Sequence, residues 1–406
     1  MAIWEFNRGE WTEAYVFLRL LGKGRIYGAT TELVKDDSTY IDIVNIIRDE
    51  PDKLLIFERF VSEEIPYVQL LRNGEKLKIV TAPEFNDRAD HLYKQLKELG
   101  TGKRKISIPE IQKYLEGFKI DSPKANLSSS AKQKYGTKTD IIVTSENSID
   151  NMRTTGGFSI KSHIGSSPTL FNSSQTSGFI YKVVGCNEKG MHQLNAKDSL
   201  MDIISGIRDE YSLEYAGCRN KIFEQNIHMV DSRMDEIMQC ALLLRVGYFQ
   251  NDSSSAVAST CKVLAEKNPL NVNNPQAFYT SKLKSFLFAS FAGMTASEEW
   301  SGRKLLTGGY IDVDKDGEML YYRAMSDDVF ENYLYQHTYF DRPDRGELKE
   351  LAVAEGKCFL KKNRPLTNKE RKDIIAGCHG KKGDFGYVYK DGDSFYIAIN
   401  FQIRFR

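Results

Sequence analysis

The chain has 406 residues, of which 41% are hydrophobic and 27% charged, with 56 Lys and Arg against 55 Asp and Glu. That length exceeds one small core and suits about two to three domains or one elaborated domain. A net charge of +1 excludes a diffuse polybasic binder but leaves room for a local basic stripe. The opening MAIWEFNRGEW has no basic segment followed by an apolar core, and no apolar run reaches the roughly 18 residues of a membrane span. A cytoplasmic location with no membrane association is therefore expected. The cysteines (Cys186, Cys218, Cys240, Cys261, Cys358 and Cys378) form no C-x-x-C pair and share no ligand spacing with the histidines. Free buried thiols are expected, not a zinc site or a disulfide framework.

In chain order, RGEWTEAYVFLRLLG (8–22) predicts a helix with Gly9 and Gly22 at its ends. It is apolar nearly all round, which predicts burial, and Glu13 inside it needs a partner. Residues 40–80 read as mostly β with short helices, including a hairpin at Asn73-Gly74. Helices are predicted over 83–98 and after SIPEIQKYLEGF, with Ser107 as a cap and Pro109 and Glu110 in the first turn. Residues 121–139 read as a polar loop with four lysines and no acid after Asp121. DIIVTS and GFSIKS read as strands joined by a polar connection, TLFNSSQ as a helix start and SGFIYKVVG as a strand. The stretch 198–248 is mainly helical by period, and NVNNPQAFYTSKLKSFLFASFAGM ends a second helical block. GGYIDVD and EMLYYRA flank a KDG turn, SDDVFENYLYQH reads as a helix, and the end is a hairpin at Asp391-Gly392. The expected organisation is an N-terminal core helix (1–30), a small β-rich region (31–100), a catalytic core (101–190), a mainly helical region (191–310) and a C-terminal β-rich region (311–406).

Asp140 and Lys161 are the leading chemical pair. They sit on consecutive strand candidates, and adjacent antiparallel strands bring such side chains together. An aspartate there can hold a divalent metal through hard oxygen ligands, and a lysine can orient water or face developing charge. This is the pattern of the PD-(D/E)xK nucleases, in which an acid two residues before the lysine completes the metal site. Here that residue is Ser159. By itself D…SxK is common, and the plainer reading is a solvated edge lysine and a turn aspartate. Glu13 adds weight, because a carboxylate on a buried helix needs pairing or a cation. RGEWTE also resembles the start of the archaeal Holliday-junction resolvases, with Glu10 as the neighbouring candidate; the plainer reading of Glu10 is a first-turn acid favoured by the helix dipole. Ser162, Ser166, Ser167, Thr169, Asn172 and Ser173 form a hydroxyl and amide group suited to phosphate contact, or to plain turn chemistry. DVDKDG begins like a calcium loop, but Arg323 holds the twelfth position, so a hairpin turn is expected. GKG at 22–24 is not a Walker loop. KKNRPLTNKERK (361–372) is a basic cluster that either tracks DNA or is a solvated loop.

Over most of its length the chain resembles the HpaII family of type II restriction endonucleases. The resemblance is carried by NRGEWTEAYVFLRLLGKGRIYGA, GFSIKSHIGSSPTLFNSSQTSGFIYKV, LFASFAGMTASEEWSGRKLLTGGYIDV, VFENYLYQHTYFDRP and YIAINFQIRF. It implies an α/β (α+β mixed) fold: a restriction-endonuclease-like core with a central mixed sheet flanked by helices, and further helical and β regions forming a DNA cleft. It implies a Mg²⁺-dependent nuclease cutting double-stranded DNA at a short palindromic site and leaving 5′-phosphate ends. A homodimer and a cognate DNA methyltransferase as genetic partner are implied with it. Asp140 and Lys161 become the catalytic pair. Glu13, with Glu10 beside it, is the candidate for the acid that Ser159 does not provide, with Gln175 or Asn172 as the alternative. Ser162, Ser166, Ser167, Thr169, Asn172, Gln175 and Lys138 are the DNA-contact candidates. Two other readings stay open: a structure-specific or nicking nuclease of the same core, and an inactive DNA-binding module.

Overall fold

The structure, a computed structural model, describes residues 3–30, 34–99, 105–148, 151–165, 167–172, 176–249, 255–305, 307–323, 327–341, 343, 353–354, 357–358 and 385–406. The chain begins with α1 (Arg8–Lys23), β1 (Arg25–Ala29), β2 (Lys35–Glu50), β3 (Lys53–Phe60), β4 (Tyr67–Arg72), β5 (Glu75–Thr81) and α2 (Ala82–Glu98). It continues through α3 (Pro109–Glu116), α4 (Ser129–Tyr135), β6 (Ile141–Asn147), β7 (Arg153–Ser162), β8 (Thr169–Phe171), β9 (Gly178–Val184), α5 (Glu188–Asn195) and α6 (Leu200–Glu210). Next come β10 (Ser212–Cys218), α7 (Lys221–Val230), α8 (Met234–Arg245), α9 (Val257–Lys267), α10 (Pro275–Phe291), β11 (Gly309–Val313), β12 (Met319–Arg323) and α11 (Asp327–His337). The last elements are β13 (Thr338–Phe340), β14 (Val353–Ala354), β15 (Lys357–Cys358), β16 (Val388–Asp391), β17 (Ser394–Asn400) and β18 (Ile403–Phe405). None of the helices among the described residues is long and apolar enough to cross a membrane.

These elements fall into two compact units, Met1–Pro168 with Arg303–Tyr333, and Thr169–Gly302 with Leu334–Arg406. In the first, a mixed sheet runs β1-β12-β11-β7-β6-β2-β3-β4-β5. β1 pairs parallel with β12 and β11 parallel with β7, whereas the other neighbours are antiparallel. The expected central mixed sheet is therefore present, but it closes on itself. The first half of β2 pairs with β1 and the second half with β3, so β1, β12, β11, β7, β6 and β2 form a ring. Ring closure removes two strand edges that would otherwise expose unpaired backbone groups.

α1 is the hub of this unit's core. Trp11, Ala14, Val16, Leu18, Leu20 and Leu21 are fully buried and share one cluster with Phe57, Phe85, Phe118 and Val313. Asn7, not Gly9, caps it: its Oδ1 accepts from Glu10 N at 2.9 Å, and Glu10 Oε2 accepts from Asn7 N at 2.9 Å. The helix ends on Gly24 in the left-handed region, φ 71°. Gly22 lies inside the helix, where a Cβ would fall 2.4 Å from Asn86 Oδ1 on α2. A side chain there would push the two helices apart.

Local turn chemistry behaves as expected at Asn73-Gly74 (φ 50° and 89°), at the Asp391-Gly392 hairpin, and at DVDKDG, where Asp314 Oδ1 accepts from Asp316 N at 2.8 Å and Glu318 N at 2.9 Å. Four expectations are corrected. Residues 40–80 hold strands and no helix among those described. Ile108, not Ser107, precedes α3, with no side-chain cap. The polar stretch 121–139 contains α4, which Ser128 caps and which buries Ala131 and Tyr135 against Ile142 and Leu127. TLFNSSQ begins with β8, a strand paired with β18, so Thr169–Phe171 do not start a helix.

The second unit carries a four-stranded sheet (β10-β9-β17-β16), a three-stranded sheet (β13-β18-β8) and most of the remaining helices. β10 interrupts the stretch read as helical. Its SLEYAGC alternates exposed and half-buried positions as an edge strand does. Phe171, Phe179, Phe223, Phe286 and Phe401 pack together at ring separations of 5.2 to 6.2 Å. Cys218, Cys240 and Cys261 are buried free thiols and Cys186 is half-buried.

Candidate active site

β6 and β7 form the expected hairpin, with Ile141 opposite Phe158. Asp140, just before β6, donates its N–H to Phe158 O at 2.9 Å. Its Oδ2 accepts from Ile160 N at 2.7 Å and from Ser159 Oγ at 3.1 Å. Ser159 thus stands where an acid was sought and acts as a donor that fixes Asp140. Two glycines let neighbouring chain approach β7. A Cβ on Gly157 would lie 2.3 Å from Thr139 Oγ1, and one on Gly156 would lie 2.6 Å from Thr307 O. The segment leading into Asp140 therefore lies against the strand that carries Lys161.

α1 meets the same strand. Thr12 Oγ1 is 3.1 Å from Ser162 Oγ. Glu13 follows Thr12, and Lys161 precedes Ser162. All three charged groups are half-buried, and each acts on the ionisation of at least one of the others. Burial pushes the Glu13 carboxyl well above the usual range; the Asp140 charge adds to this, and Lys124 and Arg48 oppose it. Burial likewise raises the Asp140 carboxyl, opposed by Lys161, the Ile160 N–H, the Ser159 hydroxyl and Lys138. Burial lowers the Lys161 ammonium; Asp140 opposes, Lys138 adds, and Glu13 opposes. Glu10 is placed differently. One of its oxygens closes the α1 capping box and the other takes Lys124 Nζ at 2.6 Å.

A buried ion cluster holds the loop that brings Lys124 in. Arg48 donates to Glu50 Oε1 at 3.0 and 2.8 Å and to the carbonyls of Ser122 at 3.1 Å and Lys124 at 2.8 Å. Lys53 pairs with Glu50 and with Asp121. Sequence reading missed Arg48 and Lys124, because their link to α1 is made only in three dimensions. Across the sheet, Asp312 on β11 is the register partner of Lys161, and its Oδ1 lies 3.1 Å from His163 Nε2.

The remaining candidates are scattered. Ser162 is on β7 and accepts from Ile164 N at 3.3 Å, and Ser167 lies in the first unit. Thr169, on β8, and the exposed Asn172 belong to the second unit, where Thr169 Oγ1 accepts from Gln402 Nε2 at 3.4 Å. Half-buried Lys138 borders Asp140 and Lys161. Ser166 and Gln175, like the basic cluster at 361–372, lie outside the described residues.

Among the described residues, no group of three or more His, Cys, Asp or Glu side chains could hold a metal ion. The carboxylate pair still fits a hard divalent cation. The Asp140 charge raises the cost of ionising half-buried Glu13, and a cation bound by both would lower that cost. Mg²⁺ commonly takes only one or two protein carboxylates, with water and substrate phosphate supplying the rest.

Type II restriction enzyme HpaII of Haemophilus parainfluenzae is 28% identical over 402 residues, spanning 98% of this chain and 98% of that protein. No solved structure matches the chain. The family model described as HpaII restriction endonuclease matches residues 7–366. With the match running from the first turn of α1 through both strands of the Asp140–Lys161 hairpin and on past β15, the chain belongs to the HpaII restriction endonuclease family.

Proposed function

We propose that this chain hydrolyses double-stranded DNA at a short palindromic site, with Asp140, Glu13 and Lys161 as catalytic residues and Mg²⁺ as cofactor. As a family member it is a type II restriction enzyme, a site-specific deoxyribonuclease. The supporting observation is the half-buried Glu13–Asp140–Lys161 cluster, which α1 and the β6–β7 hairpin build together. In this reading the first unit carries the restriction-endonuclease-like core. Its DNA cleft opens onto the face bearing the cluster.

Asp140 and Glu13 would hold the metal. Ser159 and the Ile160 N–H occupy Asp140 Oδ2 and fix the carboxylate plane, which would leave Oδ1 to hold a metal. Mg²⁺ held there would supply polarisation of the scissile phosphate and a more acidic water. Lys161 orients the attacking water and faces the charge that develops on the phosphoryl oxygens. Its burial favours the neutral amine, which can accept the water's proton. One P–O bond forms to the water oxygen and the bond to the 3′-oxygen breaks. That oxygen takes a proton from solvent, leaving a 3′-hydroxyl and a 5′-phosphate. Glu10 is spent on the cap and on Lys124, so Glu13 is the stronger choice for the missing acid.

Lys138, Ser162, Ser166, Ser167, Thr169, Asn172 and Gln175 are proposed to contact DNA. A palindrome presents the same half-site twice, which calls for a two-fold pair of chains. A methyltransferase that protects the site is the expected genetic partner. Digestion of a plasmid of known sequence with Mg²⁺, followed by end mapping, tests the reading. Discrete ends at one short palindrome support it. Preferential cutting of branched substrates, single-strand nicks, or binding without cleavage would replace it with one of the other two readings.

A further inference from the structure

Lys124 has no role in the mechanism above, yet the fold holds it at the site with care. Its Nζ sits 2.6 Å from Glu10 Oε1, and its side chain remains 46% exposed. Its backbone carbonyl is gripped by Arg48, a buried guanidinium that also takes Ser122 O and Glu50. Lys53, itself buried, ties down Asp121 three residues earlier. The start of α4 is fixed to the same strand by Ser128 N on Asp49 O at 2.7 Å. A loop whose only task was to bridge α3 and α4 needs no buried arginine on its carbonyls.

We propose that Lys124 is a DNA-phosphate ligand of the active site, parked on Glu10 in the free protein and aimed by the Arg48 clasp. The inference rests on the nuclease reading above. Its charge reaches Glu13 and Asp140 as well as Glu10. Lys124, Lys138 and Lys161 therefore stand among the carboxylates of Glu10, Glu13 and Asp140. Glu10 shares Lys124 with solvent, so an arriving phosphate can take over the ammonium at little loss. The capping bond of Glu10 to Asn7 remains in place when it does.

The test is Lys124→Gln, with Lys124→Arg and Glu10→Gln beside it. The Arg48 clasp holds a backbone carbonyl, so all three variants retain the loop, and thermal melts check this. Binding is read by fluorescence anisotropy on a labelled duplex carrying the mapped cut site, without divalent metal, from 50 to 200 mM salt. Each lysine–phosphate contact adds about 0.9 to the slope of log affinity against log salt. Lys124→Gln is expected to lower the slope by about 0.9, so that affinity falls about 3-fold less over that range, and to bind more weakly at 50 mM. Lys124→Arg keeps the wild-type slope. Glu10→Gln keeps the slope and does not weaken binding. A wild-type slope for Lys124→Gln, or equal weakening by Glu10→Gln, overturns the inference. A wild-type protein that cuts no plasmid overturns the underlying nuclease reading instead.

Discussion

Glu13→Gln is the most informative single change. The substitution keeps the shape of the side chain and removes its charge. Desolvation and the Asp140 charge disfavour the ionised Glu13 carboxyl, and Lys124 and Arg48 only partly offset this. A neutral amide avoids that penalty, so the metal-free variant should melt at or above the wild-type temperature. Catalysis should respond in the opposite sense. Even groups that merely support metal ligands change metal affinity or rate by about 10–100-fold. A residue that itself holds the metal should therefore account for at least about 100-fold. The assay is plasmid cleavage over a Mg²⁺ titration, with melting curves with and without Mg²⁺. The wild type should gain melting temperature on adding Mg²⁺, and Glu13→Gln should gain much less. A variant that loses stability and keeps wild-type Mg²⁺ dependence would show that Glu13 is a structural partner of Lys124 and Arg48. The proposed metal site would then be wrong.

Three further predictions concern strand packing, a helix cap and a thiol. Gly157→Ala places a Cβ 2.3 Å from Thr139 Oγ1 and should destabilise by about 1–3 kcal/mol in urea unfolding, with partial recovery on adding Thr139→Ala; an unchanged midpoint would mean the 139 segment does not press on β7. Asn7→Ala removes the bond to Glu10 N and should lower stability by about 1 kcal/mol in the same assay, whereas a neutral result would deny the cap its role. Burial pushes the Cys186 thiol up to about 11, so less thiolate is present at pH 8 than for an ordinary cysteine. Iodoacetamide labelling of the Cys186 peptide, followed by mass spectrometry, should rise about tenfold per pH unit until near that value; a plateau near pH 9 would contradict it.

What was legible in the sequence was local. α1 is apolar nearly all round and proves buried. Asn73-Gly74 and Asp391-Gly392 mark hairpins because few other residues tolerate the positive φ of Asn73, Gly74 and Gly392. Asp140 and Lys161 could be paired because one hairpin joins them, and Glu13 stood out as an acid in a buried helix. The errors arise where distant chain decides. α4 forms in a polar stretch because Ala131 and Tyr135 find Ile142. Thr169–Phe171 becomes a strand because β18 lies beside it. The ring closes because β1 pairs with β12, nearly three hundred residues later, and no local pattern announces that. Arg48 and Lys124 were missed for the same reason.

The central claim is that Asp140, Glu13 and Lys161 form a metal-dependent DNA-cutting site. The most direct measurement compares wild type with Lys161→Ala on a plasmid of known sequence with Mg²⁺, with site-specific binding measured alongside. The account predicts discrete cuts at one short site by the wild type, and no cleavage with retained binding by Lys161→Ala. Cleavage by Lys161→Ala at the wild-type rate would contradict it.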